Sequence, residues 1–163
     1  MKPSFTAAWA ASQRIYNPAN PAEKVAQVIG GTVAVNIRLS DTTKQWTNTC
    51  AVRMSYILNQ TGTYIPRIPG QTVTGEDKRN YFFRVNNLIN FLRHQWGAPE
   101  TIKYPPSAAL AGQKGVVLFE IAGFSNAAGH ATLYNGTSCY DHCYFYEREA
   151  LQQTTKAHFW SLS

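Results

Sequence analysis

The sequence predicts an α+β fold, in which N-terminal helices pack on a C-terminal antiparallel sheet. Up to Gly97, apolar residues recur mainly at helical spacing, whereas from Gly115 onwards they form short runs typical of strands. Helices followed by strands are the order of an α+β protein, without the regular alternation of βαβ units. A chain of 163 residues has the usual length of one domain, so we expect residues 1–163 to form a single domain.

Two helices are predicted at the start of the chain. Residues 5–16 are rich in alanine and carry their large apolar side chains loosely on one side. Asn20 is the predicted N-cap of the second helix, because Pro21 follows at the first helical position and Glu23 comes three residues after the cap. The second helix is expected to end at Gly30.

The segment from residue 33 to 39 fits two patterns. Its apolar residues alternate as in a strand, but some of them also continue the helical spacing of the preceding segment. We predict a strand here. Residues 40–49 are polar and are expected to form a loop that leads to Cys50.

Cys50 opens a segment whose apolar positions fit a helix of about three turns, closed by Gly62. A thiol at a helix N-terminus faces unpaired backbone N–H groups and the positive end of the helix dipole, and both favour the nucleophilic thiolate. The alternative is that Cys50 is a small buried apolar residue, as most free cysteines are.

The middle of the chain is expected to be less regular. Residues 64–80 contain prolines and glycines and predict a long irregular loop, which we interpret as the rim of a binding groove. Residues 81–85 fit a short strand or an extended entry to the next helix, for which Asn86 or Asn87 is the predicted N-cap. Residues 99–113 are expected to be a linker.

Four strands are predicted in the C-terminal part. A loop of small residues, 124–129, precedes the second strand, and Asn135-Gly136 after it is a turn signal typical of hairpins. The predicted strands are residues 115–121, 130–134, 144–146 and 157–162.

The formal charge of +6 predicts attraction to anionic partners, such as nucleic acid, a membrane surface or the bacterial cell wall. The basic residues never form a run and no nucleic-acid motif is present, so no nucleic-acid partner is expected. The longest apolar run, residues 116–124, is too short to cross a bilayer. The N-terminus lacks a hydrophobic region, so we expect no signal peptide and synthesis in the cytosol.

A helix-borne cysteine followed by a strand-borne histidine is the order found in papain-like hydrolases. Of the four histidines, His130 is preferred as general base because Gly129 and a strand would hold it exposed and rigid. The alternative for His130 is a half-buried, hydrogen-bonded histidine. Asp141 is preferred as the group that orients the imidazole, although on spacing alone it could be a solvent-facing turn aspartate; Asn135 and His142 are the other candidates.

Cys139 and Cys143 are separated by three residues. This spacing fits two reduced thiols, a small disulfide loop, or half of a zinc site that His130 or His142 would help to complete. A zinc site would need two further ligands, and the sequence lacks a second pair at regular spacing. No metal or other cofactor is therefore expected.

Three blocks carry a resemblance to a known family: WTNTCAVRMSY at residues 46–56, GHATLYNG at 129–136, and CYDHCY at 139–144. Together they resemble the type VI secretion amidase effectors of family 4. The resemblance implies a papain-like fold of the NlpC kind. It also implies a peptidoglycan amidase that cuts between D-glutamate and meso-diaminopimelate in the stem peptide.

By position, the resemblance implies Cys50 as nucleophile, His130 as base, Asp141 as orienting residue, and a disulfide between Cys139 and Cys143. It implies delivery by the type VI secretion apparatus into the periplasm of a rival bacterium, and an immunity protein that plugs the site. The other interpretations are a cysteine hydrolase or acyltransferase acting on proteins, and a non-catalytic module that binds the cell wall.

Several side chains are candidate contacts of the substrate. Arg53, Arg67 and Lys44 could bind the free carboxylates of stem peptides. Asn48, beside the nucleophile, is a further candidate contact. The backbone N–H of Cys50 is the expected first oxyanion donor, and a side chain between Gln45 and Asn48 could be the second.

Overall fold

The computed structural model describes residues 1–123 and 129–163 and confirms the α+β fold. The helices are α1 (Phe5–Ile15), α2 (Pro21–Ile29), α3 (Gly31–Ile37), α4 (Cys50–Gln60) and α5 (Val85–Trp96). The strands are β1 (Thr72–Thr74), β2 (Asn80–Phe82), β3 (Glu100–Lys103), β4 (Lys114–Ala122), β5 (Gly129–Asn135) and β6 (Gln153–Ser161).

Helix α4 lies at the centre of the molecule, with residues 50–59 all buried. It packs against α1, β2 and β5. The buried Ser55 hydroxyl donates to the Ala51 carbonyl at 2.8 Å and accepts the Phe82 N–H at 2.9 Å. The bond from Phe82 ties α4 to β2.

The larger sheet is antiparallel, with the strand order β3-β6-β4-β5. Strand β4 lies between β5 and β6 and is covered on both faces. Val116 and Leu118 contact the helices, whereas Val117, Phe119 and Ile121 belong to a second apolar cluster on the opposite face. Burial of both faces explains why β4 is a nearly continuous apolar run in the sequence.

The prediction of a strand at residues 33–39 is wrong, because this segment forms α3 and its C-cap. Val33, Ala34 and Ile37 are buried together, which is helical spacing, whereas Val35 is 61% exposed. A strand would place Val33, Val35 and Ile37 on one face. The β-branched residues favour a strand locally, but packing of the buried face on the core stabilises the helix instead.

The linker predicted at residues 99–113 contains edge strand β3, which pairs with β6. The loop predicted at 64–80 contains β1, which pairs with β2. The predicted strand at 144–146 is absent; Phe145 packs instead on the second cluster, against the rings of Phe119 and Tyr134.

Helix α5 begins at Val85 with Arg84 as its N-cap, two or three residues before the predicted Asn86 or Asn87 caps. Asn20 is the N-cap of α2, as predicted, although its side chain makes no capping hydrogen bond to the described part of the chain.

Residues 124–128 of the predicted loop lie outside the described residues, and Gly129 already belongs to β5. Across residues 1–123 and 129–163, no helix has the length and apolar character needed to span a bilayer.

Candidate active site

Cys50 is the first residue of α4, directly after the N-cap Thr49. The preceding loop is anchored by Trp46, whose ring stacks on Phe83 with centroids 5.1 Å apart. The backbone N–H of Cys50 donates to Oδ1 of Asn48 at 3.1 Å. The polar loop thus delivers the thiol to the helix N-terminus, as the sequence predicts.

His130 is the second residue of β5, and the fold places it beside Cys50. Sγ of Cys50 lies 4.0 Å from the carbonyl oxygen of Gly129, the residue before His130, and the thiol interacts electrostatically with the imidazole. The ring of Tyr144 packs on the imidazole, with centroids 4.7 Å apart. Two residues that are far apart in sequence therefore meet because α4 packs directly on β5.

Asp141 lies on the other side of His130, with its carboxylate fully buried. Oδ2 is 3.1 Å from Nε2 of His130 and accepts a 2.8 Å hydrogen bond from Nη2 of Arg53. The contact between Asp141 and Nε2 of His130 is an ion-pair contact and not an aligned hydrogen bond. Oδ1 accepts hydrogen bonds from the Thr132 hydroxyl at 2.5 Å and the His142 N–H at 2.7 Å.

The disulfide implied by the resemblance is present between Cys139 and Cys143, with Cα atoms 5.4 Å apart. It encloses Tyr140 and Asp141 in a short loop that is tied to β5, since the Tyr140 N–H donates to the Leu133 carbonyl at 3.2 Å. Outside residues 124–128, no three His, Cys, Asp or Glu side chains are grouped to hold a metal ion.

The surroundings of Cys50 favour its ionised form. Burial of the thiol opposes ionisation, but the hydrogen bond and positive charge of His130, the charge of Arg53 and the backbone N–H of Ala131 outweigh it. The pKa of Cys50 is therefore lowered from its ordinary value.

The pKa values of His130 and Asp141 are both shifted so that each side chain is charged. Burial opposes a charged imidazole, but the contacts with Asp141 and Cys50 dominate and raise the pKa of His130 to about 9. Burial also opposes a charged carboxylate, but His130, Arg53 and Thr132 lower the pKa of Asp141 to about 2. The arrangement favours a thiolate–imidazolium pair beside an ionised aspartate.

A cleft of about 260 Å³ opens above this cluster. Cys50 itself is only 1% exposed and His130 6%. The imidazole reaches the cleft wall, while the sulfur lies behind it. The other lining residues are Tyr16, Pro21, Thr47, Asn48, Thr49, Arg53, His142 and Tyr144.

Only some of the predicted substrate contacts line the cleft. Asn48 and Arg53 line the cleft, whereas Arg67 is exposed in the segment before β1 and does not line it. The guanidinium of Arg53 is largely buried and donates three hydrogen bonds to protein groups. Gln45 donates to the Leu39 carbonyl at 3.3 Å, so Asn48 is the amide of this loop that lies next to Cys50.

Asn135 and His142, the other candidates for orienting the imidazole, lie elsewhere. The side chain of Asn135 accepts the N–H groups of Thr137 and Ser138 in the turn after β5. His142 is exposed and lines the mouth of the cleft. Sequence reasoning missed Thr132, Tyr140 and Tyr144, although all three lie inside the sequence blocks that carry the resemblance.

The family profile described as type VI secretion system (T6SS), amidase effector protein 4 (Tae4) matches residues 46–160. Comparison with curated protein sequences gave no significant match.

Solved structures of Tae4 proteins are similar over the full chain. Tae4 of Enterobacter cloacae in its complex with Tai4 is 36% identical, with a TM-score of 0.88 and 100% coverage of both chains. Tae4 of E. cloacae solved alone is 37% identical, with a TM-score of 0.86 and coverage of 100% and 98%. Tae4 of Salmonella typhimurium, bound to E. cloacae Tai4, is 35% identical, with a TM-score of 0.85 and coverage of 99% and 100%. The chain therefore belongs to the Tae4 family of type VI secretion amidase effectors.

Proposed function

We propose that this amidase effector is a cysteine-dependent peptidoglycan hydrolase that cuts the γ-D-glutamyl–meso-diaminopimelate bond in the periplasm of a target bacterium. One observation carries the proposal: Cys50, His130 and Asp141 form one buried cluster beneath a cleft, in a chain of this family. The whole chain, residues 1–163, acts as one catalytic domain.

The Cys50 thiolate attacks the side-chain carbonyl carbon of D-glutamate, and the carbonyl oxygen becomes an oxyanion. As this tetrahedral intermediate collapses, the C–N bond breaks and the His130 imidazolium protonates the leaving amine of diaminopimelate. A water molecule then attacks the thioester, with neutral His130 accepting its proton. The thioester C–S bond then breaks, the D-glutamate carboxylate is released, and the thiolate–imidazolium pair of Cys50 and His130 is restored.

Asp141 keeps the imidazole oriented and stabilises its charged form through both steps. Its carboxylate stays fixed because Thr132 and the His142 N–H bind the oxygen that does not face His130. Asp141 therefore acts without changing its own protonation.

The backbone N–H of Cys50 is the first oxyanion donor. Oδ1 of Asn48 now accepts this N–H, so the substrate oxygen replaces a side-chain acceptor when it binds. One such donor is typically worth about 3 kcal/mol of transition-state stabilisation. Rotation of the Asn48 amide would present its NH₂ group as the second donor.

The partners follow from the same site. A formal charge of +6 favours the anionic cell wall, and the exposed Arg67 and Lys44, which do not line the cleft, are proposed contacts of stem-peptide carboxylates outside it. The Tae4 proteins of E. cloacae and S. typhimurium form complexes with the immunity protein Tai4. We expect a cognate immunity protein that covers this cleft, and delivery by the type VI apparatus.

The test is digestion of purified sacculi followed by mass spectrometry of the released fragments. Wild-type protein should release fragments cut between D-glutamate and diaminopimelate. Cys50→Ala and His130→Ala should release none, while thermal melting shows that both variants are folded. Cleavage of sacculi by Cys50→Ala would contradict the mechanism.

The same samples separate the other interpretations. If protein substrates are cut and sacculi are not, the enzyme is a protein hydrolase. If neither is cut and iodoacetamide fails to modify Cys50 near neutral pH, the thiol is structural and the chain is a binding module.

A further inference from the structure

Arg53 lies one turn after Cys50 on α4, and its guanidinium binds three protein groups. The residue is 6% exposed. Its guanidinium donates from Nη2 to Asp141 Oδ2 at 2.8 Å, from Nη1 to the Thr49 hydroxyl at 2.9 Å and from Nε to the Tyr140 hydroxyl at 3.1 Å. Arg53 therefore joins the nucleophile helix to the disulfide loop that carries Asp141.

Two aromatic rings complete this enclosure. Cζ of Arg53 lies 5.0 Å from the ring centroid of Tyr16 and 6.0 Å from that of Tyr140. The two rings also contact each other edge to face, with centroids 5.5 Å apart. A largely buried guanidinium that packs on aromatic rings has lost much of its water, so its charge acts strongly on its neighbours.

The charges of the buried cluster balance only when Arg53 is included. The active form contains two negative groups, the Cys50 thiolate and the Asp141 carboxylate, and one positive group in the His130 imidazolium. Arg53 supplies the second positive charge. Because unpaired buried charge is costly, a cluster without Arg53 would favour the state in which Cys50 retains its proton.

We propose that Arg53 is a positioning residue of the amidase site, which fixes Asp141 against His130 and supplies the charge that keeps Cys50 ionised. This role differs from the substrate contact predicted from the sequence, and it rests on the proposed function of Cys50 and His130. Three of the five guanidinium N–H groups are used in these bonds to Tyr140, Thr49 and Asp141, which assigns most of the donors to the protein itself.

The pKa shifts agree with this geometry. The positive charge of Arg53 is one of the influences that lower the pKa of Cys50 and of Asp141. Burial opposes a charged guanidinium, but Tyr140, Asp141 and Cys50 outweigh it and raise the pKa of Arg53, which stays charged. The other titratable groups that face the cluster from neighbouring segments are Tyr16, Tyr140, His142 and Tyr144.

The test replaces Arg53 in two ways and titrates the thiolate by its ultraviolet absorbance. Cys50 is the only free thiol of the chain, and the same substitutions made in Cys50→Ala protein supply the baseline. Arg53→Gln removes the charge, so the midpoint of Cys50 ionisation should rise by about one pH unit. The acidic limb of kcat/KM for a soluble stem-peptide substrate should move with it.

Arg53→Lys keeps the charge but cannot make the three planar hydrogen bonds. We expect a thiolate midpoint close to that of the wild type and a kcat that is about tenfold lower. Arg93→Gln, at an exposed position on α5, is the matched control and should leave both quantities unchanged.

An unshifted thiolate midpoint in folded Arg53→Gln overturns the proposal. If Arg53→Gln does not fold, Arg53→Lys decides: a lower kcat at an unshifted midpoint supports the role, and an unchanged kcat overturns it. Thiolate absorbance needs no substrate, so failure of the wild type to cut sacculi would contradict the proposed function without hiding the result for Arg53.

Discussion

Gly129, immediately before His130, lies where β5 and β4 approach closely. A Cβ atom at this position would be 2.0 Å from the carbonyl oxygen of Phe119. Phe119 is the strand partner of His130 itself, and Gly129 pairs with Glu120. The small residue before the histidine is therefore needed for strand pairing at the point where the imidazole is positioned.

Replacement of Gly129 by Ala should lower both stability and activity. The strands must separate locally, which costs about 1–3 kcal/mol of unfolding free energy. Because His130 moves with its strand, kcat per folded molecule should fall by about 10- to 100-fold. Denaturant unfolding and assays with a soluble stem-peptide substrate measure the two effects.

Gly115 offers a matched control at the far end of β4. A Cβ there would lie 2.1 Å from the Trp160 carbonyl oxygen, so Gly115→Ala should destabilise the sheet to a similar degree. Since Gly115 pairs with Tyr134 and Ser161, away from His130, kcat per folded molecule should stay near that of the wild type. Equal losses of kcat in the two variants would show that the position of Gly129 beside His130 is irrelevant.

The candidate site shows which residues a sequence can indicate. A cysteine at a helix start and a histidine after glycine are local patterns, Asp141 is preferred from its position after His130, and the resemblance implies the same three residues; the structure brings these side chains together. Arg53 has partners 87 and 88 residues away in the chain, so its engagement depends on the tertiary fold. Its charge alone suggested a substrate contact.

At the scale of single elements, α3 and β3 also depend on tertiary contacts that the local sequence does not reveal. Helix α3 is rich in β-branched residues, and only the contacts of Val33, Ala34 and Ile37 with the core fix its period. Strand β3 buries little of itself: only Ile102 is partly buried, while Glu100, Thr101 and Lys103 are exposed. Edge pairing with β6 comes from backbone hydrogen bonds, which leave no apolar pattern in the sequence.

The disulfide loop should matter more for catalysis than for stability. A bridge that closes so short a loop contributes only about 2 kcal/mol through chain entropy. It nevertheless fixes both ends of the segment that holds Asp141 and Tyr140. Replacement of Cys139 and Cys143 by Ser should therefore lower kcat about tenfold or more, with a modest decrease in Tm.

Thermal melting and stem-peptide cleavage, measured on the same preparations, check this expectation. Wild-type protein treated with a reductant should behave like the double Ser variant, whereas the same reductant should leave the activity of that variant unchanged. A loss of activity no larger than the fraction unfolded at the assay temperature would argue against a local role for the bridge.

At the scale of the whole molecule, the buried charged cluster links catalysis to stability in acid. Asp141 has a pKa of about 2 in the folded protein, against about 3.9 for an aspartate in an unfolded chain. A lowered pKa means that the unfolded state binds the proton more readily. The stabilisation of the folded state by the ionised Asp141 is complete above about pH 4 and is lost as the pH falls towards 2.

Asp141→Asn should therefore change the pH dependence of stability as well as its magnitude. At pH 6 the variant leaves Arg53 and His130 without their carboxylate, so its unfolding free energy should be lower by about 3 kcal/mol. Between about pH 4 and pH 2 the wild type should lose stability faster than the variant, and the difference should shrink. Denaturant unfolding at a series of pH values measures both curves, with the exposed Glu149→Gln as a control that should follow the wild type. Parallel curves for wild type and Asp141→Asn would mean that this carboxylate is not held ionised by its buried partners.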